Sequence, residues 1–254
     1  MSRWVSKAVA MLALSATVLS GMAQASVVIT GTRVVFPGDS REVTVRLLND
    51  GNTPALVQTW MDTGDEKAAP ESIKVPFILT PSMFRIDPEK GQTLRMFYTG
   101  EPLPTDKESL FWLNVLEVPP KARDDEAANK IQLAFRSRIK VMYRPAGLAG
   151  NAEDAARQLR WEIVRRDDSG EHELKVSNPS PYVVNLGSVT LEAAGQKYEV
   201  EPTYVRAKDA ARMPLPRLAT GPVGGASVTF SSIDDWGVIR PAAAASVTRS
   251  DALH

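Results

Sequence analysis

The chain has 254 residues, 43% of them hydrophobic, with 30 basic and 30 acidic residues, so its formal net charge at pH 7 is zero. This balance gives no reason to expect binding to nucleic acid or to an anionic membrane surface. The sequence contains no cysteine, so the fold must depend on hydrophobic cores rather than on disulfides.

The first 25 residues have the three parts of a secretory signal peptide. Arg3 and Lys7 supply the positive start, residues 8–20 are mostly apolar, and Ala23-Gln24-Ala25 is a cleavage site of the small-x-small type. The apolar run is too short for a membrane span, and no later run approaches the ~20 residues that a span needs. We therefore predict an exported chain with residues 1–25 removed.

From residue 26 onward, short alternating runs separated by turn residues predict β-strands. In the first half, the predicted strands are 26–29, 42–48, 55–61, 77–80, 84–86, 92–99, 109–118 and 131–145. The charged, alanine-rich stretch 121–130 is predicted to be a loop. Trp60 and Trp112, like Trp161 further along, lie on predicted strands and are assigned to hydrophobic cores.

The run 131–145 has the clearest pattern in the chain. Its large apolar residues, from Ile131 to Tyr143, fall on one face of a strand, and Arg136, Arg138 and Lys140 fall on the other. The run is longer than the usual strand of about 5–6 residues. Such a strand has apolar surface left over that another protein could cover.

Residues 146–151 are predicted to be a linker, and Asn151 with Asp154 is predicted to start a helical turn over 152–158. The strands predicted after it are 160–165, 173–177, 182–191, 197–200 and 227–232. The alanine-rich end has no period that would place it in a core, so residues 246–254 are predicted to be a flexible tail. Strands at this spacing, without helical periods, predict an all-β protein with two immunoglobulin-like sandwiches, 26–145 and 152–245.

Catalysis finds little support in the sequence. The only histidines are His172 and the last residue, His254, which are too few for a histidine metal cluster, and no Gly-x-Ser-x-Gly motif is present. We therefore expect a protein that is not an enzyme and needs no metal and no cofactor, although counting residues leaves a Ser–His–Asp site open.

The stretch from Leu103 to Pro120, LPTDKESLFWLNVLEVPP, closely resembles the signature of the periplasmic pilus-assembly chaperones, the PapD-like family. Residues 32–38, 139–145 and 178–182 fit the same family, and the resemblance extends from Val27 to Arg240. It implies two sandwiches set at an angle. It also implies a periplasmic chaperone that binds pilus (fimbrial) subunits and delivers them to an outer-membrane usher.

The family resemblance also implies roles for single residues. Arg33 and Lys140 match the pair that holds the C-terminal carboxylate of a subunit. The residues that match the donated strand, which fills a groove in the subunit, are Asn129, Ile131, Leu133 and Phe135.

Glu108, Arg144 and Asp235 match an ion network between the domains, although Asp234 could replace Asp235. The short connection between Pro119 and Asn129 places the chain in the class with a short F1–G1 loop, the loop before the donated strand.

Two questions stay open at the level of the sequence. An exposed apolar strand tends to aggregate, so the subunit-free chaperone is expected to cover it by self-association or with the loop before it. The main alternative function is an immunoglobulin-like exported adhesin or structural pilus subunit. A structural subunit would carry its own N-terminal extension, whereas here the mature chain is expected to enter its first strand almost at once.

Overall fold

The computed structural model describes residues 26–118, 133–166, 171–215, 225–241 and 244–249, and these residues form two β-sandwiches joined near residue 150. The prediction of an all-β, two-domain protein is confirmed. The short α1 (Ala152–Ala155) starts the second domain. The Asn151 side-chain oxygen caps this helix by accepting a hydrogen bond of 2.8 Å from the backbone N–H of Asp154, as predicted.

The strands of the first sandwich are β1 (Val27–Ile29), β2 (Arg33–Pro37), β3 (Glu42–Asn49), β4 (Ala55–Asp62), β5 (Phe77–Thr80), β6 (Met83–Ile86), β7 (Gly91–Tyr98), β8 (Ser109–Val118) and β9 (Phe135–Arg144). They form two sheets, with strand orders β1-β3-β7-β5 and β2-β9-β8-β4-β6. Gly31, with φ of 121°, lies where the chain passes from β1 in one sheet to β2 in the other, a backbone conformation that favours glycine. Between the sheets, the core includes the fully buried Phe36, Leu94 and Leu113.

The alternation predicted for β9 is present in the structure. Val141 and Tyr143 are buried in the first core, while Arg138 and Lys140 lie on the outer face of the sheet, over rings outside that core. The strand begins at Phe135 rather than at residue 131, and Leu133, two residues before it, is not part of a strand. The antiparallel ladder with β8 ends where Phe135 pairs with Glu117, and none of the strands that the structure describes pairs with Leu133.

The second sandwich contains nine strands among the described residues. They are β10 (Arg160–Arg165), β11 (His172–Asn178), β12 (Val184–Ala193), β13 (Gln196–Val200), β14 (Tyr204–Val205), β15 (Asp209–Pro214), β16 (Ser227–Ile233), β17 (Ile239–Pro241) and β18 (Ala245–Arg249). Its core includes Trp161, Leu174 and Phe230. A third, small cluster lies where the two domains meet and contains Leu110, Trp112, Met142 and Val183.

The predicted flexible tail is wrong for its first part. Strand β18 pairs in parallel with β10, with Val247 opposite Trp161, and also pairs with β16. The side chain of Val247 packs against the second core. Strand pairing depends on backbone N–H and C=O groups rather than on side chains. A strand such as β18 can therefore form in a segment whose apolar pattern is too short to be recognised in the sequence. Residues 250–254 of the predicted tail lie outside the described residues.

Candidate functional site

The two predicted anchor cations are neighbours on adjacent strands. Strands β2 and β9 run parallel, and Arg33 is paired directly with Lys140 in their ladder. Both side chains are half-buried. This pairing of two distant segments places two positive charges side by side at the start of β2.

Burial and neighbouring positive charge both act on Lys140. Burial, followed by the charges of Arg33 and Arg138, lowers its pKa to about 8. Its Nζ lies 4.8 Å from the centroid of the Tyr204 ring, a contact that favours the charged form. The lysine therefore stays mostly protonated at neutral pH in a region that already has excess positive charge.

Arg33 is held in place by the second domain. Its Nη1 donates a hydrogen bond of 3.0 Å to the backbone oxygen of Ile233. Burial lowers its pKa, although the nearby carboxylates of Asp235 and Asp234 act in the opposite direction. Its Nε is buried and has no hydrogen-bond partner in the described part of the chain. Within those residues, neither Arg33 nor Lys140 forms an ion pair, so an anion from outside could pair with both.

The edge of β9 is open directly beside this pair of cations. On one side, β8 pairs with β9 from Phe135 to Tyr143. On the other side, β2 pairs only with residues 140–144. Among the described strands, none covers this second edge at residues 135–139, so backbone donors and acceptors there are available to another strand.

Two of the four predicted donor-strand residues can be placed. Phe135 is half-buried at the start of β9, and Leu133 is 55% exposed, which is unusual for a large apolar side chain in a core-forming segment. Asn129 and Ile131 lie outside the described residues, as does the predicted short loop after Pro119.

Arg144, at the end of β9, joins the two domains through a forked contact. Its Nε donates to Glu108 at 2.5 Å, and its two Nη atoms donate to Asp235 at 2.8 and 3.0 Å. The other oxygen of Glu108 accepts from the backbone N–H of Val183 in the second domain at 2.6 Å. Burial raises the pKa of Glu108, whose side chain has no exposed surface, while Arg144 partly offsets this.

Asp234 does not take the place of Asp235 in this network. Its carboxylate accepts hydrogen bonds from the backbone N–H groups of Trp236 and Val238 and from Nε of Arg240, all within the six residues that follow it. These bonds lower the pKa of Asp234, although burial acts against them. The structure therefore assigns Asp235 to the contact with Arg144 and Asp234 to local contacts, a choice that the sequence left open.

The outer face of β9 carries a row of cations stacked on aromatic rings, which the sequence did not predict. The guanidinium of Arg136 lies 4.9 Å from the Trp60 ring, and that of Arg138 lies 4.6 Å from the Trp112 ring. Arg138 also makes a two-point contact, at 2.5 and 3.0 Å, with the buried carboxylate of Asp62.

The structure changes two of the three tryptophan assignments. Trp60 is half-buried on the outer face, and Trp112 is buried between the domains rather than in the core of one sandwich. Trp161 lies in the second core, as predicted. The outer face of the sheet that contains β9 is therefore partly open at Trp60 and partly a domain interface at Trp112.

Two family models together cover most of the chain. Residues 26–149 match the N-terminal domain of the pili and flagellar-assembly chaperone PapD, and residues 154–244 match the C-terminal domain of the pili assembly chaperone PapD. The chain belongs to the PapD-like pilus-assembly chaperone family.

Relatives of this chaperone include two curated proteins that match over most of their length. The probable fimbrial chaperone YadV of Escherichia coli K12 is 46% identical over 84% of this chain and 87% of its own. The chaperone protein FimB/FhaD of Bordetella pertussis is 43% identical over 96% and 99%. Both names agree with the family that the two domain models indicate.

Solved structures of similar chaperones have the same fold. The crystal structure of YadV has a TM-score of 0.73 at 42% identity and covers 87% of this chain and all of its own. A complex of the Salmonella enterica SafA pilin with the SafB chaperone has a TM-score of 0.69 at 28% identity, with 88% and 96% covered. Like the fimbrial chaperones of its family, this chaperone is periplasmic.

In the described residues, no helix is long and apolar enough to cross a membrane. In that same part of the chain, no group of three or more histidine, cysteine, aspartate or glutamate side chains is arranged to hold a metal ion.

Proposed function

We propose that this chaperone holds the C-terminal carboxylate of a pilus subunit on Arg33 and Lys140, and that it completes the subunit with the segment from Asn129 to Phe135. The single observation that carries the proposal is the position of the open edge of β9. This open edge begins at Ile139, next to Lys140, and continues along β9 towards the exposed Leu133.

The carboxylate explains why two like charges are kept together. A hydrogen bond to a charged group contributes about 1.5–3 kcal/mol, and a carboxylate has enough acceptor sites for both cations. Binding would also offset the burial of Lys140 and its repulsion by Arg33, which together with Arg138 lower the pKa of the lysine in the free protein. The end of any subunit chain supplies this group, so the grip does not depend on the subunit's sequence.

The open edge supplies the second part of the binding energy. A strand of the subunit can extend the sheet along residues 135–139 of β9 through backbone hydrogen bonds. Burying Leu133 and Phe135 in the subunit would add about 1.5–3 kcal/mol for each side chain, before the ordering of the segment is subtracted. The cation pair fixes the end of the guest strand and therefore its register along β9.

The chaperone then delivers the subunit to an outer-membrane usher, where the extension of the next subunit replaces the donated strand. Folding of the subunit and exchange of strands supply the free energy, so the proposal requires no nucleotide. We also propose that the chain has the short F1–G1 loop, because only about ten residues separate Pro119 from Asn129.

The experiment compares Lys140→Ala with the wild-type protein when each is co-expressed in the periplasm with a fimbrial subunit. We expect the yield of co-purified subunit to fall about tenfold or more, because the loss of a charge-assisted bond of 1.5–3 kcal/mol corresponds to at least that factor. Lys197→Ala, which removes an exposed lysine from β13, is the matched control and should leave the yield unchanged. Wild-type yield from a folded Lys140→Ala variant would contradict the carboxylate grip.

A further inference from the structure

The first described residue of the chain is held by one carboxylate. Glu117, near the end of β8, accepts hydrogen bonds from the backbone N–H of Ser26 at 3.0 Å and from the Ser26 hydroxyl at 2.5 Å. The backbone N–H of Val27 donates to the same carboxylate at 3.3 Å. Three donors of this short segment therefore converge on a single side chain.

The surroundings of Ser26 fix the position of its backbone nitrogen. The Ser26 carbonyl oxygen accepts a hydrogen bond of 2.7 Å from the backbone N–H of Asp50. At Gly51, an added Cβ would lie 2.5 Å from the Ser26 Cβ, so this turn has room for Ser26 only because Gly51 has no side chain. The next residue, Val27, is buried in the first core. These contacts keep the Ser26 nitrogen beside Glu117.

Glu117 carries a negative charge that none of the described side chains balances. It is half-buried, and in the part of the chain that the structure describes it forms no ion pair with a lysine or an arginine. A carboxylate that is partly removed from water is normally paired with a cation. A backbone N–H supplies a hydrogen bond but no net charge, so a cation at the position of the Ser26 nitrogen would complete the site.

The cleavage site predicted from the sequence would create that cation. Hydrolysis of the Ala25–Ser26 peptide bond by water leaves a carboxylate on Ala25 and an ammonium group on Ser26. The α-amino group of a free chain end has a pKa of about 7.7–8.0, so it is mostly charged at neutral pH. We propose that Glu117 binds the α-ammonium group of Ser26, and that this ion pair makes the first domain more stable after removal of residues 1–25 than before it.

The ion pair would connect the two sheets of the first sandwich. Strand β1 has three residues and lies at the edge of one sheet, whereas Glu117 belongs to the other sheet and pairs with Phe135 at the start of β9. The contact therefore closes the end of the sandwich from which the proposed donor segment extends. Because no subunit takes part in it, the ion pair can be tested in the free chaperone.

The test compares two forms of the free chaperone that differ only in where the chain begins. Each is made with a removable N-terminal fusion, and cleavage leaves one chain that starts at Ser26 and one that starts at Ala23. The three extra residues keep the Ser26 nitrogen as an amide and move the ammonium group by up to about 10 Å. Glu117→Gln is prepared in both lengths, and Glu71→Gln, at an exposed glutamate of the same domain, is the matched control.

We expect the chain that starts at Ser26 to melt about 3–5 °C higher than the longer chain at neutral pH and low salt, since a charge-assisted hydrogen bond is about twice as strong as a neutral one. The difference should shrink in about 1 M sodium chloride, vanish in Glu117→Gln and persist in Glu71→Gln. Equal melting of the two wild-type chains would overturn the proposal, and so would a difference that Glu117→Gln keeps.

The intact mass of the chaperone purified from the periplasm provides the second measurement. It should correspond to a chain that begins at Ser26. A mature chain that begins at any other residue would place its ammonium group away from Glu117 and would also overturn the proposal.

Discussion

At the scale of single residues, Lys140 shows a conflict between binding and stability. Its burial and the charge of Arg33 disfavour the ammonium form in the free chaperone, which is why its pKa falls to about 8. In the proposed complex, a guest carboxylate would reverse this effect by pairing with the charge. A residue that is unfavourable in the free protein and favourable in a complex is common at functional sites.

Lys140→Met tests this conflict through stability rather than through binding. The folded-state pKa, about 8, lies below the ordinary value of 10.5, so the unfolded chain binds the proton more tightly. The lysine therefore destabilises the fold fully below pH 8, and less as the pH rises towards 10.5. We expect the methionine variant to melt a few degrees higher than the wild type at pH 7, with a smaller difference at pH 10.

Calorimetry of the free proteins at both pH values measures the effect, and Lys197→Met is the control for an exposed lysine. A methionine variant that is less stable than the wild type at pH 7 would mean that Lys140 contributes to the fold of the free chaperone. Subunit capture should be lost in either case, because methionine cannot pair with a carboxylate.

At the scale of the strand, β9 performs two tasks with one repeating pattern. Val141 and Tyr143 hold its second half in the first core. Its first half has only β8 as a neighbour and leads back to the exposed Leu133. The proposed function therefore assigns stability of the free protein and binding of the guest to opposite ends of the same strand.

Leu133→Glu tests the separation between these two ends. We expect the free protein to melt within about 2 °C of the wild type, because a side chain that is 55% exposed contributes little to the core. Subunit capture should fall strongly, because a buried, unpaired carboxylate opposes insertion into an apolar groove. Co-purification with a fimbrial subunit and thermal unfolding are the two measurements.

Ile78→Glu is the matched control, because Ile78 is 58% exposed on β5 in the other sheet. It should affect neither melting nor capture. Should Leu133→Glu instead lower the melting temperature by many degrees, Leu133 belongs to the chaperone's own core and the donated strand must begin elsewhere.

The pattern of β9 was predictable because one face of the strand meets a core and the other does not, so the period of two appears in the residues themselves. In β8, the continuous apolar run indicates that both faces are covered, since Trp112 on the outer face is buried by the second domain. Periodicity did not predict the pairing of Arg33 with Lys140. That expectation came from the family resemblance alone.

Other parts of the site left no signal in the sequence. Tyr204, whose ring lies beside Nζ of Lys140, is in a strand of only two residues, too short to show a period. Its contact with Trp112 exists only because two separately folded domains meet there. The choice of Asp235 over Asp234 depends in the same way on which carboxylate the loop turns towards Arg144.

At the scale of the whole molecule, the cleft depends on how the second domain is held against the first. Arg33 reaches Ile233, and the Arg144 fork joins Glu108 to Asp235. These contacts, together with the small apolar cluster around Trp112, connect the interface directly to the cations of the cleft. We therefore expect changes in the domain interface to change subunit binding even when both sandwiches remain folded.

Arg144→Met separates the strength of the interface from its geometry. Removal of one partner of a buried ion pair typically destabilises by about 3–5 kcal/mol, and here Glu108, whose side chain has no exposed surface, would lose the guanidinium that partly offsets the cost of its burial. The double variant Glu108→Gln with Arg144→Met also removes the carboxylate of Glu108, so its melting temperature should recover in part.

Neither variant keeps the two-point contact to Asp235, so small-angle X-ray scattering should show a wider distribution of domain orientations in both. Arg160→Met, at an exposed arginine of β10 in the second domain, is the control and should match the wild type in both measurements. Unchanged scattering from the double variant would show that the apolar cluster alone sets the orientation of the domains.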